Sequence, residues 1–297
     1  MPIEKGLIKG VEQLVNARLK LSATLSYKHK TACTRISNQP VEFDGAAFVG
    51  DIYDRIVENA QYGLARSEQT GRPPSDQNWR WKPLITLTEG ESGKGHIGSE
   101  VPLERLIAIL SELAVYGLNG NWTNQMPVGS GLTEDPDGGR RIDLVHRSEN
   151  GTYYLIELKT SGPRGSDTPL HAAVELLIYG LVYVFSRVHK KELHYDGSPE
   201  LEILGEKARI VSLRVIAPQD FYKYSVNGKL EKYHLGWFEG LLNDGLRGLL
   251  SRPDVSLTSK LKMSFAFEEI EQNFVSPASD HGFLMKFEPK QVVWDAK

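Results

Sequence analysis

Residues 139–146 read Gly-Arg-Arg-Ile-Asp-Leu-Val-His, and residues 153–159 read Tyr-Tyr-Leu-Ile-Glu-Leu-Lys. Both runs have the apolar content of β-strands, and the Ser-Glu-Asn-Gly segment between them is typical of a turn. Each run is interrupted by charge: Asp143 lies in the first, and Glu157 and Lys159 lie in the second. A charge in a half-buried strand costs free energy unless it is paired or binds a cation. These three side chains are therefore the candidate functional group around which the fold is organised.

The length of the turn decides whether the two acids meet. Side chains alternate along a strand, so Glu157 and Lys159 share a face. If residue 143 faces residue 157, the Cβ atoms of the two acids lie about 4.5–5.5 Å apart. That register requires an odd loop, such as residues 149–151 with a bulge at the glycine. A two-residue Asn-Gly turn would put the acids on opposite faces, and we predict the odd loop.

Two converging carboxylates with open coordination positions suit a hard cation, Mg²⁺ or Mn²⁺, that keeps several waters. A lysine two residues further on places an ammonium group beside a metal-bound water or a transferring phosphate. The cation stabilises developing charge and makes hydroxide easier to form. The set therefore indicates phosphodiester hydrolysis. The alternative is a cross-strand ion pair on a solvated face, which a Glu-x-Lys sequence favours when it is taken alone.

Bulk composition limits the functional classes. The 297 residues suit one large domain or one core with additions. There are 35 basic and 38 acidic side chains, so any binding of a polyanion requires a local positive patch. Cys33 is the only cysteine, which excludes a disulfide framework within one chain and fits a cytoplasmic protein. The N-terminus lacks the apolar region of a signal peptide, and no apolar run approaches the roughly 20 residues of a membrane span. We therefore expect no membrane association.

Hydrophobic spacing predicts helices and strands along the chain. Helices are predicted at residues 3–20, 48–66, 101–117, 168–189 and 236–251. Strands are predicted at residues 84–88, 122–128, 139–147, 153–159 and 207–216, with a closing strand pair at 282–294. Asn227-Gly228 predicts a hairpin turn. Residues 31–48 show no clear hydrophobic period. Residues 90–99 resemble a phosphate-binding loop but lack the residue spacing of that motif. The breaker at residues 69–75, which contains Gly-Arg-Pro-Pro, divides a helical extension, residues 1–75, from a domain at residues 76–297.

The order of elements over residues 100–216 resembles the core of the PD-(D/E)XK, restriction-endonuclease-like nucleases. That family is α/β, with the order α-β-β-β-α-β and a mixed central sheet flanked by helices. The resemblance implies that Asp143 is the metal-bridging aspartate, Glu157 the second ligand and Lys159 the catalytic lysine. It also implies that the N-terminal helices are an extension of this core and that the residues after 216 are a C-terminal β/α elaboration.

Two of the proposed site acids, Glu104 and Asp143, have alternatives elsewhere in the sequence. The family often takes a third metal ligand from its first helix, and Glu104 is our choice, with Glu100 and Glu112 as alternatives. Pro136-Asp137 supplies a literal Pro-Asp pair, but it lies in a Pro-Asp-Gly-Gly turn where aspartate has a local reason to occur. Asp143 is therefore preferred over Asp137.

The helix after Lys159 carries His171, Glu175 and Tyr179 at i, i+4 and i+8, on one face. The RecB-like branch of the family has a Gln-x-x-x-Tyr pair on this helix. Glu175 and Tyr179 resemble that pair, with glutamate in the place of glutamine. A core tyrosine and a surface histidine are the alternatives for Tyr179 and His171.

Nearby arginines and tryptophans complete the candidate list. Arg140, Arg141 and Arg164 would form a local positive patch that positions phosphates. The alternative for these arginines is a solvated face. The tryptophans are expected to pack in the core, with base stacking as the alternative; they are Trp79, Trp81 and Trp122.

The sequence therefore predicts a cytoplasmic nuclease that depends on Mg²⁺ or Mn²⁺ and acts on nucleic acid, with DNA favoured. The alternative function is a non-catalytic nuclease-like module that binds nucleic acid or a protein partner. The sequence does not decide between monomer and homo-oligomer, nor between cleavage within a strand and from its end.

Overall fold

The computed structural model describes residues 6–70, 78–83, 100–112, 121–129, 140–159, 167–193, 195, 199–270 and 289–294. Its helices are α1 Val11–Arg18, α2 Lys30–Asn38, α3 Gly45–Thr70, α4 Glu100–Glu112, α5 Pro169–Val188, α6 Gly236–Ser251 and α7 Pro253–Ser259. Its strands are β1 Trp122–Pro127, β2 Arg141–Arg147, β3 Thr152–Leu158, β4 Ile210–Pro218, β5 Lys223–Val226, β6 Lys229–Lys232, β7 Lys262–Ile270 and β8 Lys290–Gln291.

Six strands form one mixed sheet in the order β1-β2-β3-β4-β7-β8. The first three are antiparallel neighbours, β3, β4 and β7 run parallel, and β8 is antiparallel to β7. Helices flank this sheet. The predicted α/β class, the mixed central sheet and the order α4-β1-β2-β3-α5-β4 are confirmed.

The register of β2 and β3 agrees with the sequence prediction. Leu144 pairs with Ile156, so the next position along places Asp143 opposite Glu157. The N–H of Ser148 donates to the carbonyl of Thr152 at 2.8 Å, which leaves a three-residue loop. Gly151 ends that loop with φ of +81°, a conformation that glycine adopts without a steric penalty. The odd loop is confirmed.

Helix α5 is buried over most of its length. Pro169 occupies its first turn, and the Thr168 hydroxyl caps it by accepting from the N–H of His171 at 3.1 Å. Contrary to the expectation from the sequence, this helix is long and apolar enough to cross a membrane by length and composition. However, 89% of its apolar window is buried inside the protein. It is apolar because protein surrounds it on almost every side.

The N-terminal helices pack into the same hydrophobic core as the sheet. Helices α3 and α6 cross at glycines: a Cβ on Gly245 would lie 2.5 Å from the carbonyl oxygen of Gly45. Most of the predicted breaker at 69–75 lies outside the described residues. The two-residue turn at Asn227-Gly228 joins β5 and β6 with positive φ at both positions, as predicted.

Several boundaries differ from the prediction. The helix predicted at 3–20 is a short 3-10 turn at Gly6–Ile8 followed by α1, because Gly10 adopts φ of +82° between them. Helices α2 and α7 and strand β7 were not predicted. Both helices are short, with 9 and 7 residues. Strand 84–88, loop 90–99 and residues 113–117 lie outside the described residues, as does most of the closing pair.

Candidate active site

Asp143 and Glu157 lie on one face of the sheet, near the carboxyl end of β3. The register puts both acids on the same face as Val145 and Leu155, two positions away on each strand. Val145 and Leu155 pack in the main core. Asp143 Oδ2 accepts a hydrogen bond from the backbone N–H of Leu158 at 2.8 Å. Glu157 is almost fully buried. The hairpin thus holds two acids together, as the sequence predicts.

Lys159 follows β3 directly and is 6% exposed. Its backbone N–H donates to the carbonyl of Ile216 at 2.9 Å, which extends the pairing of β3 with β4. Its Nζ lies 2.7 Å from Glu157 Oε1 and 3.5 Å from both Glu100 Oε2 and Asp167 Oδ2. The lysine therefore joins carboxylates from three parts of the chain.

Helix α4 contributes both Glu104 and Glu100, the alternative candidate for the third metal ligand. Glu104 is 1% exposed and accepts a hydrogen bond from the side-chain amide of Gln125 on β1. Glu100 lies one turn earlier and contacts Lys159. The side chain of Glu112, the third candidate, lies outside the described residues, as do Asp137 and Arg164.

The carboxyl groups raise one another's pKa. Burial raises the pKa of Glu104 to about 7. The hydrogen bond from Gln125 opposes this rise, and the charges of Glu100 and Glu157 add to it. Burial and then the Glu104 charge raise the pKa of Asp143 well above its usual range. Burial and then the Asp143 charge do the same for the pKa of Glu157. Each acid disfavours ionisation of the next.

Lys159 does not balance this negative charge. Burial alone would lower its pKa, but the charges of Glu157, Asp143 and Glu100 outweigh burial and raise it. The ammonium group is therefore charged at every physiological pH, yet one positive charge faces several carboxyl groups. A cluster of carboxyl oxygens with too little positive charge nearby to favour their ionisation fits a hard divalent cation.

The described residues do not bring three His, Cys, Asp or Glu side chains together closely enough to bind a metal without other ligands. Mg²⁺ commonly binds one or two carboxylates and completes its shell with water and substrate phosphate. Asp143 and Glu157 are the residues that would hold it, with Glu104 behind them.

A row of polar side chains on α5 continues the site. His171 Nδ1 lies 3.4 Å from Asp167, His171 Nε2 lies 3.9 Å from Glu175, and the Tyr179 hydroxyl donates to Glu175 at 2.8 Å. The hydrogen bond to His171 is the main reason that the pKa of Asp167 falls to about 2, and the Lys159 charge adds to it. The predicted common face of His171, Glu175 and Tyr179 is confirmed.

A cleft of about 190 Å³ opens beside this row. Its wall combines residues from the N-terminal region, from the position before β2 and from α5: Ile8, Tyr27, Lys28, Arg140, His171, Glu175, Ile178 and Tyr179. Arg141, the next residue of the predicted positive patch, is exposed.

The tryptophans serve mainly as packing residues. Trp79 is fully buried and donates from Nε1 to the Ser186 hydroxyl at 3.0 Å. Trp122 is 7% exposed and stacks on His146 with ring centroids 4.3 Å apart. Trp81 is half-buried, with the Arg147 guanidinium 5.1 Å above its ring. The expectation of core packing is confirmed for Trp79 and Trp122.

Sequence reasoning missed three residues of the site. Asp167 pairs with Lys159, Gln125 bonds Glu104, and Lys28 lines the cleft. Asp167 carried a usable signal, because it lies just before the Thr168 cap and the Pro169 helix start. Gln125 and Lys28 carried none, since each reaches the site only through tertiary packing.

Comparison with known proteins adds no relative: no family model, no curated protein and no solved structure matches the chain.

Proposed function

We propose that the protein is a metal-dependent nuclease that hydrolyses phosphodiester bonds of nucleic acid, with DNA as the favoured substrate and Mg²⁺ or Mn²⁺ as the cofactor. The observation that supports this most is the pairing of Asp143 with Glu157 on one sheet face, with Lys159 Nζ 2.7 Å from Glu157. The finer proposal is that the α4-to-β4 unit is a restriction-endonuclease-like core, because it has that family's order of elements.

The metal, when bound, would neutralise the carboxylates and assist formation of hydroxide at neutral pH. Asp143 and Glu157 would hold it, while the Leu158 N–H keeps Asp143 oriented. Glu104 would hold a water behind Asp143, or complete the metal site as a third carboxylate; burial raises its pKa to about 7 in the metal-free protein. Lys159, which lies 2.7 Å from Glu157 here, would bind a phosphate oxygen of the substrate.

The experiment is cleavage of labelled DNA and RNA, single-stranded and duplex, by purified protein with Mg²⁺ or Mn²⁺. Asp143→Asn, Glu157→Gln and Lys159→Met should each reduce the cleavage rate by about 100-fold or more, because each removes a charge that acts on the transition state. Glu149→Gln, an exposed acid in the loop of the same hairpin, is the matched control and should cleave like wild type.

Two outcomes would contradict the proposal. One is wild-type protein that cuts none of these substrates with either metal. The other is Lys159→Met protein that cuts as well as wild type while its far-UV circular dichroism shows a native fold.

A non-catalytic module is the second candidate, and the short Lys159–Glu157 contact favours it. That ion pair satisfies Glu157 without any metal. Calorimetric titration with Mn²⁺ separates the two candidates: a site that disappears in Asp143→Asn supports the enzyme, and no binding to wild type supports the module.

A further inference from the structure

The cleft beside the acids has two cationic side chains on its wall. Lys28 comes from the segment between α1 and α2, and Arg140 immediately precedes β2. They are 112 positions apart in the sequence, so only the packing of the N-terminal region against α5 brings them to one cleft.

This cleft lies beside the proposed catalytic site. His171 lines the cleft and lies 3.4 Å from Asp167, whose carboxylate also lies 3.5 Å from Lys159 Nζ. Arg140 precedes Asp143 by three residues, which is about 10 Å along an extended strand. A strand of nucleic acid that has one phosphate at Asp143 would therefore place a neighbouring phosphate in the cleft.

A polyanion needs such a positive wall. A phosphate that approaches the site meets a surplus of carboxylates, and like charges a few ångströms apart repel strongly in a partly buried setting. Lys28 Nζ lies 2.6 Å from Glu12, but its side chain is 36% exposed, and an ammonium group has three donors. Burial raises the pKa of the Tyr179 hydroxyl, and Arg140 is near enough for its positive charge to oppose that rise.

We propose that Lys28 and Arg140 bind a backbone phosphate of a single nucleic-acid strand, one nucleotide away from the bond that is cut. The inference rests on the proposed nuclease function and names its substrate class. At about 190 Å³ the cleft is smaller than the roughly 300–1,000 Å³ of common ligand pockets. It can hold a phosphate and part of one nucleotide, whereas a base-paired nucleotide would bring its partner strand with it. We therefore infer that the strand that enters the cleft is unpaired there.

The test is fluorescence anisotropy with a labelled single-stranded DNA oligonucleotide and the blunt duplex of the same sequence. It is run in EDTA, where metal-dependent cleavage cannot occur, and at several salt concentrations. We expect the single strand to bind at least about tenfold more tightly than the duplex. Lys28→Gln and Arg140→Gln should each weaken single-strand binding several-fold and reduce the slope of log affinity against log salt by about 0.7.

Three variants serve as controls. Lys262→Gln removes an exposed lysine at the start of β7, at the other end of the sheet, and should bind like wild type. Glu12→Gln breaks the ion pair but keeps the Lys28 charge, so binding should be unchanged or tighter. Lys28→Arg keeps the charge and should also bind like wild type.

The proposal is overturned if wild type shows no binding, if the duplex binds as well as the single strand, or if both glutamine variants bind like wild type. It is also overturned if Glu12→Gln weakens binding as much as Lys28→Gln, since Lys28 would then act through local structure. Failure of the nuclease function looks different: single-strand binding depends on Lys28 and Arg140, yet no substrate is cut with Mg²⁺ or Mn²⁺.

Discussion

Three buried or half-buried acids, Asp143, Glu157 and Glu104, face a single lysine at the end of β3. Burial raises the pKa of all three, and each acid adds to the rise of another. The folded chain therefore carries an unfavourable electrostatic energy that the unfolded chain does not have. Proteins keep such arrangements where function requires them, at a cost in stability. The cost should appear in the pH dependence of unfolding.

Glu104 gives the clearest case. Its pKa rises from 4.5 to about 7 on folding. Between these values the folded protein holds a proton that the unfolded chain has released, so the free energy of unfolding falls as pH rises. In metal-free buffer at pH 8, Glu104→Gln should therefore be more stable than wild type by up to about 3 kcal/mol. At pH 4 the difference should vanish, because both states carry the proton.

Thermal unfolding at the two pH values measures this effect. The control is Glu149→Gln, which removes an exposed acid and should leave the midpoint unchanged at both. A Glu104→Gln protein that melts below wild type at pH 8 would show that the hydrogen bond from Gln125 to the carboxylate outweighs the cost of burying the charge.

At the scale of elements, two close contacts fix the geometry. The three-residue loop at Gly151 sets the register of β2 and β3 and so decides that the acids share a face. The crossing of α3 and α6 brings backbones together at Gly45 and Gly245. This crossing anchors the N-terminal region, which also supplies one wall of the cleft.

The helix crossing can be tested with two identical changes in α6. A Cβ on Gly245 would lie 2.3 Å from Val49 Cγ2, so Gly245→Ala should destabilise the protein by about 1–3 kcal/mol. A Cβ on Gly240 would meet nothing within 4 Å, so Gly240→Ala should stabilise it by about 0.5–1 kcal/mol through helix propensity. Urea unfolding followed by circular dichroism measures both, and equal effects would contradict the close crossing.

At the scale of the whole molecule, the main hydrophobic core of the described residues runs from Leu7 in the N-terminal region to Val292 beside β8, and a smaller cluster packs α4 against the sheet. The division at residue 75 remains a prediction from a local breaker. Side chains of α3, such as Phe48 and Ile52, are fully buried in the core that also contains α5 and the sheet. The extension therefore contributes to stability as well as to the cleft.

We expect the full chain to unfold in one cooperative transition. Tryptophan fluorescence reports on the region after residue 75, where all five tryptophans lie, whereas far-UV circular dichroism also reports on α1 to α3. The two urea curves should coincide, because loss of the N-terminal helices would expose apolar surface on α5 and α6. A first transition seen only by circular dichroism would instead support an independent extension.

Local features of the sequence determined the order of elements, the strand register and the pairing of Asp143 with Glu157. These depend on hydrophobic period and turn chemistry, which act over a few residues. Only the tertiary structure decided three sets of contacts. They are the contacts of Lys159 with Glu100 and Asp167, the hydrogen bond from Gln125 to Glu104, and the placement of Lys28 and Arg140 on one cleft. They join residues that are 8 to 112 positions apart, and the packing of helices on the sheet, which no local pattern encodes, selects which surface side chains meet. The raised pKa values follow from the same packing, because burial and neighbouring charges exist only in the folded chain.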